Sequence, residues 1–137
     1  MAKICIIEDN ERDLIERYSK IARTPNDVHV ILDDIILFDY GAKRDIEGAK
    51  RRVNKHLSEA GFNINNLSYD LENPPTDADV YFCDGLKGFC FNLADKLGKE
   101  RVYIYSDSLR VLEQAKKEGY NLVKGVLEDM INNFKER

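Results

Sequence analysis

The stretch Lys3-Ile4-Cys5-Ile6-Ile7-Glu8-Asp9-Asn10 decides the fold. An unbroken apolar run that ends at once in two carboxylates describes a strand covered on both faces, as in a parallel α/β sheet, delivering charge to one edge of that sheet. The crevice outside the carboxyl ends of such strands is where ligands bind, and two acids in it suit a hard cation.

Outward from this strand, the alternation repeats. Asp9 or Asn10 caps a helix whose buried stripe is Leu14, Ile15, Tyr18, Ile21 and Ala22. Thr24-Pro25-Asn26-Asp27 is a turn, and the β-branched run Val28-His29-Val30-Ile31-Leu32 is a second strand. Ile46, Ala49, Val53, Leu57 and Ala60 mark an amphipathic helix between residues 42 and 60, closed by Gly61. Residues 62–75 read as an Asn-rich loop with a short strand around residues 67–71. A third strand over 79–84 follows, then a helical stripe of Phe89, Cys90, Leu93, Ala94 and Leu97 ended by Gly98. Residues 102–106 form the fourth strand, Leu109, Leu112 and Ala115 a helix, and 121–124 a short fifth strand. Val126, Leu127, Met130, Ile131 and Phe134 line a terminal helix. Strand and helix in alternation predict a doubly wound five-stranded parallel sheet of order 2-1-3-4-5, with helices on both faces and an enlarged segment between the second and third strands.

Composition bounds the function. The chain has 137 residues, 43% apolar and 34% charged, which fits one domain over 1–137 with one continuous core. Its 21 basic and 25 acidic residues give a net charge of −4, so no global field draws it to nucleic acid or to an anionic membrane. No apolar stretch reaches the roughly 18 residues of a membrane span, and the amino terminus enters a strand rather than a signal sequence. The expected compartment is the cytoplasm. Cys5, Cys83 and Cys90 lack a Cys-x-x-Cys spacing and read as reduced packing residues.

The residues that end the strands carry the chemistry: Glu8 and Asp9 after the first, Asp84 after the third, Ser106 after the fourth and Lys124 after the fifth. In the order 2-1-3-4-5 the first and third strands are neighbours, so their terminal carboxylates converge at the switch point. An oxygen-only, partly hydrated site of this kind suits Mg²⁺, which wants phosphoryl oxygens for the rest of its octahedron. Asp84 can act as a carboxylate nucleophile, with the Ser106 hydroxyl and the Lys124 ammonium offsetting charge on the transferring group.

On these residues the chain resembles the receiver domain of two-component response regulators, over nearly its whole length. The resemblance implies a flavodoxin-like, CheY-like fold and phosphoryl transfer to Asp84 from a histidine kinase, a phosphotransfer protein or a small phosphodonor. It implies Mg²⁺ held by Glu8, Asp9, Asp84 and the backbone carbonyl of Leu86, with Ser106 and Lys124 as the family's hydroxyl and lysine. A stand-alone receiver acts by contacts with a downstream protein target; its only chemistry is its own phosphorylation and dephosphorylation, so it is not an enzyme in the ordinary sense.

Several residues depart from the family pattern. Gly85-Leu86-Lys87-Gly88 lacks the customary proline, Asp107 follows the hydroxyl residue, Gly125 follows the lysine, and the interval from Asp9 to Asp84 is long. Asn121 stands at the usual aromatic switch position, with Tyr120 one place earlier. Two alternatives follow. One is a degenerate pseudo-receiver that docks a protein constitutively, through the basic helix carrying Lys43, Arg44, Lys50, Arg51, Arg52 and Lys55. The other is a phosphohydrolase of the haloacid dehalogenase type, which wants Asp-x-Asp after its first strand; here Glu11 stands two places beyond Asp9, and Asp84 is left without a role. His29 and His56 read as structural or surface residues, and Asp33-Asp34 as a turn cap.

Overall fold

The structure is a computed structural model that describes residues 1–135, with side chains of the last helix described through residue 132; Phe134, expected on the terminal helical stripe, is a side chain outside that range. The chain runs β1 (Lys3–Glu8), α1 (Glu11–Ala22), β2 (Asp27–Leu32), a 3-10 segment (Asp34–Tyr40), α2 (Ile46–Glu59) and β3 (Leu67–Ser68). It continues through β4 (Val80–Asp84), α3 (Phe89–Leu97), β5 (Val102–Tyr105), α4 (Leu109–Glu118), β6 (Asn121–Leu122) and α5 (Leu127–Lys135).

The six strands form one all-parallel sheet in the order β3-β2-β1-β4-β5-β6. The expected five-stranded order 2-1-3-4-5 is corrected by the two-residue strand β3, which pairs Leu67 and Ser68 with Val30 and Ile31 and becomes the outer edge. This extra strand also decides where α2 lies. Crossovers between parallel strands are right-handed. With five strands, the helix after β2 would return over β1 and lie on the face opposite α1. Instead β1-α1-β2 and β2-α2-β3 both step outward in one direction, so α1 and α2 share a face. The return from β3 to β4 is made by residues 69–79, which contain no helix. The enlarged segment is therefore a full α2–β3 unit plus this return.

Burial follows the two-residue period of the strands. Ile4, Ile6, Val30, Val80 and Phe82 pack under Leu14 and Tyr18 of α1, Val53 and Leu57 of α2, and Leu127 and Ile131 of α5. Cys5, Ile7, Tyr81, Cys83 and Ile104 pack on the other face under Cys90, Phe91, Leu93 and Leu97 of α3 and Val111 and Ala115 of α4. The three cysteines are free and buried, and burial pushes the Cys5 and Cys90 thiols up to about 12. They are packing groups. No helix among the described residues is long and apolar enough to cross a membrane.

Candidate functional site

The switch point lies between β1 and β4, because the chain leaves β1 toward one edge of the sheet and β4 toward the other. Their register pairs Ile7 with Cys83, so the next step sets Glu8 beside Asp84. By the strand period, Glu8 continues the row Ile4, Ile6 and Asp84 the row Val80, Phe82, and both rows face α1. Asn10 caps α1 by accepting from the Asp13 amide at 3.0 Å, which turns the chain sharply enough to leave Asp9 at the rim. Glu8, Asp9 and Asp84 each bring a carboxylate oxygen within 4.8 Å of the others.

A cation from the chain stands among these acids. Arg17 lies three residues after Leu14 and four before Ile21, on the face of α1 that meets the sheet. Its Nη1 donates to Glu8 Oε2 at 3.2 Å, to Asp84 Oδ1 at 3.1 Å and to the Tyr105 carbonyl at 3.2 Å. Nη2 donates to Asp107 Oδ2 at 3.1 Å. The guanidinium carbon sits 4.3 Å from the centroid of the Tyr105 ring, whose edge meets Tyr18. Side-chain exposure is 0% for Glu8, 8% for Arg17 and 16% for Asp84, against 91% for Asp107. Three of these groups are thus held away from water, and the fourth is a tether at the surface. The sequence reading missed Arg17; the available signal was an arginine on the apolar stripe of α1.

Burial and crowding set the protonation. Burial first, then the Asp84 carboxylate, pushes Glu8 up to about 9, with Arg17 pulling the other way. Asp9 is raised by burial and by Asp84. Burial disfavours the Arg17 charge, yet Glu8 and Asp84 outweigh it and hold the guanidinium protonated more firmly than usual. The Arg17–Glu8 contact at neutral pH is therefore a hydrogen bond within a cluster that retains a proton, rather than a simple ion pair. Oxygen-only donors, one of them a carboxyl that burial and its acidic neighbours push to hold a proton, fit a hard divalent cation such as Mg²⁺.

The other expected site residues divide. Ser106 is half-buried next to this cluster: a Cβ on Gly85 would come within 2.9 Å of its Oγ, so the absent side chain at Gly85 makes room for that hydroxyl beside the end of β4. Ser106 Oγ also accepts from the Ser108 amide at 3.1 Å. At Leu86 the amide, rather than the carbonyl, turns to the acid, donating to Asp84 Oδ2 at 3.2 Å; the carbonyl accepts from the Phe89 amide. Leu86 and Lys87 both adopt left-handed backbone, with φ of 48° and 56°, a conformation that residues other than glycine seldom take and that recurs at functional loops. Lys124 is exposed and lines a separate cleft with Lys116, Tyr120 and Met130. Among the described residues it makes no ion pair. Asp107, which follows Ser106, faces solvent and pairs with Arg17.

Beside Asp9 a cleft of about 690 Å³ opens between the start of α1 and the 3-10 segment, lined by Asp9, Asn10, Glu11, Ile35, Phe38 and Tyr40. Its far wall carries a second polar cluster. Glu11 accepts from the Tyr40 hydroxyl and lies 3.1 Å from His56 Nδ1, tying α1 to α2. Comparison with protein-family models, with curated proteins and with solved structures finds no match to this chain.

Proposed function

We propose that the protein is a receiver-type phosphoacceptor in which Asp84 takes a phosphoryl group, with Mg²⁺ held by Glu8, Asp9 and Asp84, and in which the changed surface is read by a protein target. The observation that carries this reading is the convergence of those three carboxylates at the switch point, with the Ser106 hydroxyl beside Gly85, the residue that follows Asp84. The metal, when bound, neutralises charge on the phosphoryl oxygens.

The chain's own residues do the rest. The Leu86 amide fixes one oxygen of Asp84 and so orients the carboxylate for in-line attack. An Asp84 oxygen forms the new bond to phosphorus as the bond from phosphorus to the donor breaks, and the donor leaves with the electron pair. Ser106 Oγ is a hydroxyl donor for a phosphoryl oxygen. The open cleft beside Asp9 gives the donor, a phosphohistidine of a kinase or phosphotransfer protein or a small acyl phosphate, a way in.

A second reading is favoured by a specific observation. Arg17 already supplies positive charge to Glu8 and Asp84, so the cluster is stable without ligand, as a pseudo-receiver docking a partner constitutively would need. Incubation with acetyl phosphate and Mg²⁺, read by intact mass, separates the two. A gain of one phosphoryl group that disappears in Asp84→Asn supports the phosphoacceptor; an unchanged mass, with no spectral response to beryllofluoride, supports the pseudo-receiver.

A further inference from the structure

We propose that Arg17 is the cation of the phosphoryl site and the lever that transmits the charge on Asp84 to the loop between β5 and α4, in the place that strand-end position gave to Lys124. This inference rests on the phosphoacceptor reading and deepens it. Three facts carry it. The guanidinium already touches an oxygen of the acceptor, at 3.1 Å. It is almost fully buried, stacked on Tyr105 and bonded to the Tyr105 carbonyl at 3.2 Å, so it is a fixed donor rather than a wandering surface charge. Lys124, by contrast, is exposed and unpaired among the described residues.

The geometry also gives Arg17 two ends. Nη1 faces the acids, and Nη2 holds Asp107, the residue between Ser106 and the cap of α4, Ser108. Asp107 is exposed, so its hold on the guanidinium is weak, whereas Glu8 and Asp84 compete for it from a dry site. Phosphorylation exchanges the single charge of the Asp84 carboxylate for the larger charge of a phosphoryl group. The guanidinium, a planar fork matched to phosphoryl oxygens, then turns further toward that group. Asp107 loses its partner, and the segment 106–108, which also carries the Ser106 hydroxyl, is freed to rearrange. A conformational change needs a contact whose strength differs between the two states; the Nη2–Asp107 bond is such a contact.

The experiment compares acetyl-phosphate labelling, with Mg²⁺, of the wild-type chain, Arg17→Met, Arg17→Lys and Lys124→Ala, and adds the amide resonances of Asp107 and Ser108 with and without beryllofluoride. The expected result is labelling in Lys124→Ala near the wild-type rate and a loss on the order of 100-fold in Arg17→Met, partly restored by added methylguanidinium. In the wild type the two amide resonances shift with beryllofluoride, and the Ser108 shift is lost in Asp107→Asn. Should Arg17→Met fail to fold, Arg17→Lys, which keeps a charge but not the planar fork, is labelled in its stead and is expected to fall well below the wild-type rate. Full labelling without Arg17, or loss of labelling in Lys124→Ala, overturns the assignment while leaving the phosphoacceptor reading intact. A Ser108 shift that persists in Asp107→Asn overturns the lever. A wild-type chain that takes up no phosphoryl group overturns both readings together.

Discussion

Two carboxylate clusters, each with its acid largely withdrawn from water, differ in the cationic partner: a guanidinium 8% exposed beside Glu8 and Asp84, an imidazole 50% exposed beside Glu11. Around Arg17, the acids Glu8 and Asp84 are withdrawn from water and share a guanidinium that is itself buried. Around Glu11, the partners are Tyr40 and His56, the histidine is half-exposed, and the contacts tie helix to helix over an open cleft. In the first cluster the cation is as dry as the acids it serves; in the second the imidazole stands half in water. The first can store a proton and answer a new charge; the second behaves as an ordinary surface clasp.

The largest expected effect follows from removing the buried cation. Arg17→Met takes the cation from Glu8 and Asp84 and leaves them only the Asp9 and Leu86 amides as donors, a change of the kind that costs roughly 3–5 kcal/mol when a buried pair is broken, read by urea denaturation. A cost under about 1 kcal/mol, the value of an exposed pair, would erase the contrast between the clusters. Next in size is the pH dependence. Glu8 is raised from 4.5 to about 9 by burial and by Asp84, so the folded state holds a proton that the unfolded chain releases. Its favourable contribution is complete below about pH 4.5 and is lost as pH rises toward 9. Glu8→Gln keeps the hydrogen-bonding shape without a charge to bury. Relative to wild type it is expected to be more stable at the alkaline end by on the order of 1–4 kcal/mol, with little difference near pH 4. On the proposal that Glu8, Asp9 and Asp84 hold Mg²⁺, the added ion is expected to narrow that alkaline gap in the wild type.

How much of this was legible in the sequence depends on whether a feature is local. The ends of β1 and β4 were readable, because an apolar run that stops in an acid is a local pattern, and strand alternation then set Glu8 and Asp84 on one face. The strand at β3 was readable as a short strand around residues 67–71, but its place at the edge of the sheet was not. Two residues carry no periodicity, and Leu67 and Ser68 are strand only because Val30 and Ile31 offer them an open ladder. With that short strand left out of the sheet order, the face on which α2 lies could not be derived. Arg17 was invisible for another reason: its partners Asp84 and Tyr105 lie far along the chain, and an arginine on a helix reads by default as solvated. Lys124 illustrates the converse, since a strand-end position names the rim but not the direction of the side chain.

The backbone sharpens the same comparison at a smaller scale. In the segment before α2 the left-handed position is taken by Gly41, with φ of 85°, where no Cβ opposes it. In the loop after Asp84 it is taken by Leu86 and Lys87. Left-handed backbone costs a residue with a Cβ about 1–2 kcal/mol, part of which glycine gives back through the greater freedom of its unfolded chain. Lys87 is exposed, so Lys87→Gly tests the backbone alone, and a gain of up to about 1 kcal/mol in denaturant stability is expected. If the loop beside the acceptor holds this strain for the sake of the Leu86 amide on Asp84, the gain in stability comes with slower phosphoryl uptake.

The smallest effect belongs to the clasp. His56→Ala removes the contact of Nδ1 with Glu11 and its edge contact with Tyr40. Glu11 keeps the Tyr40 hydroxyl as a donor, so its carboxylate is not orphaned. A pair whose cationic member is half-exposed, as His56 is, is worth about 0–1 kcal/mol and weakens with salt. His56→Ala is therefore expected to lower stability by less than about 1 kcal/mol, and by less still in high salt, when urea midpoints are compared at the two ionic strengths. A loss as large as that of Arg17→Met, indifferent to salt, would mean that Glu11 is governed by desolvation as Glu8 is, and that the two clusters are one electrostatic unit reaching from α2 to β5.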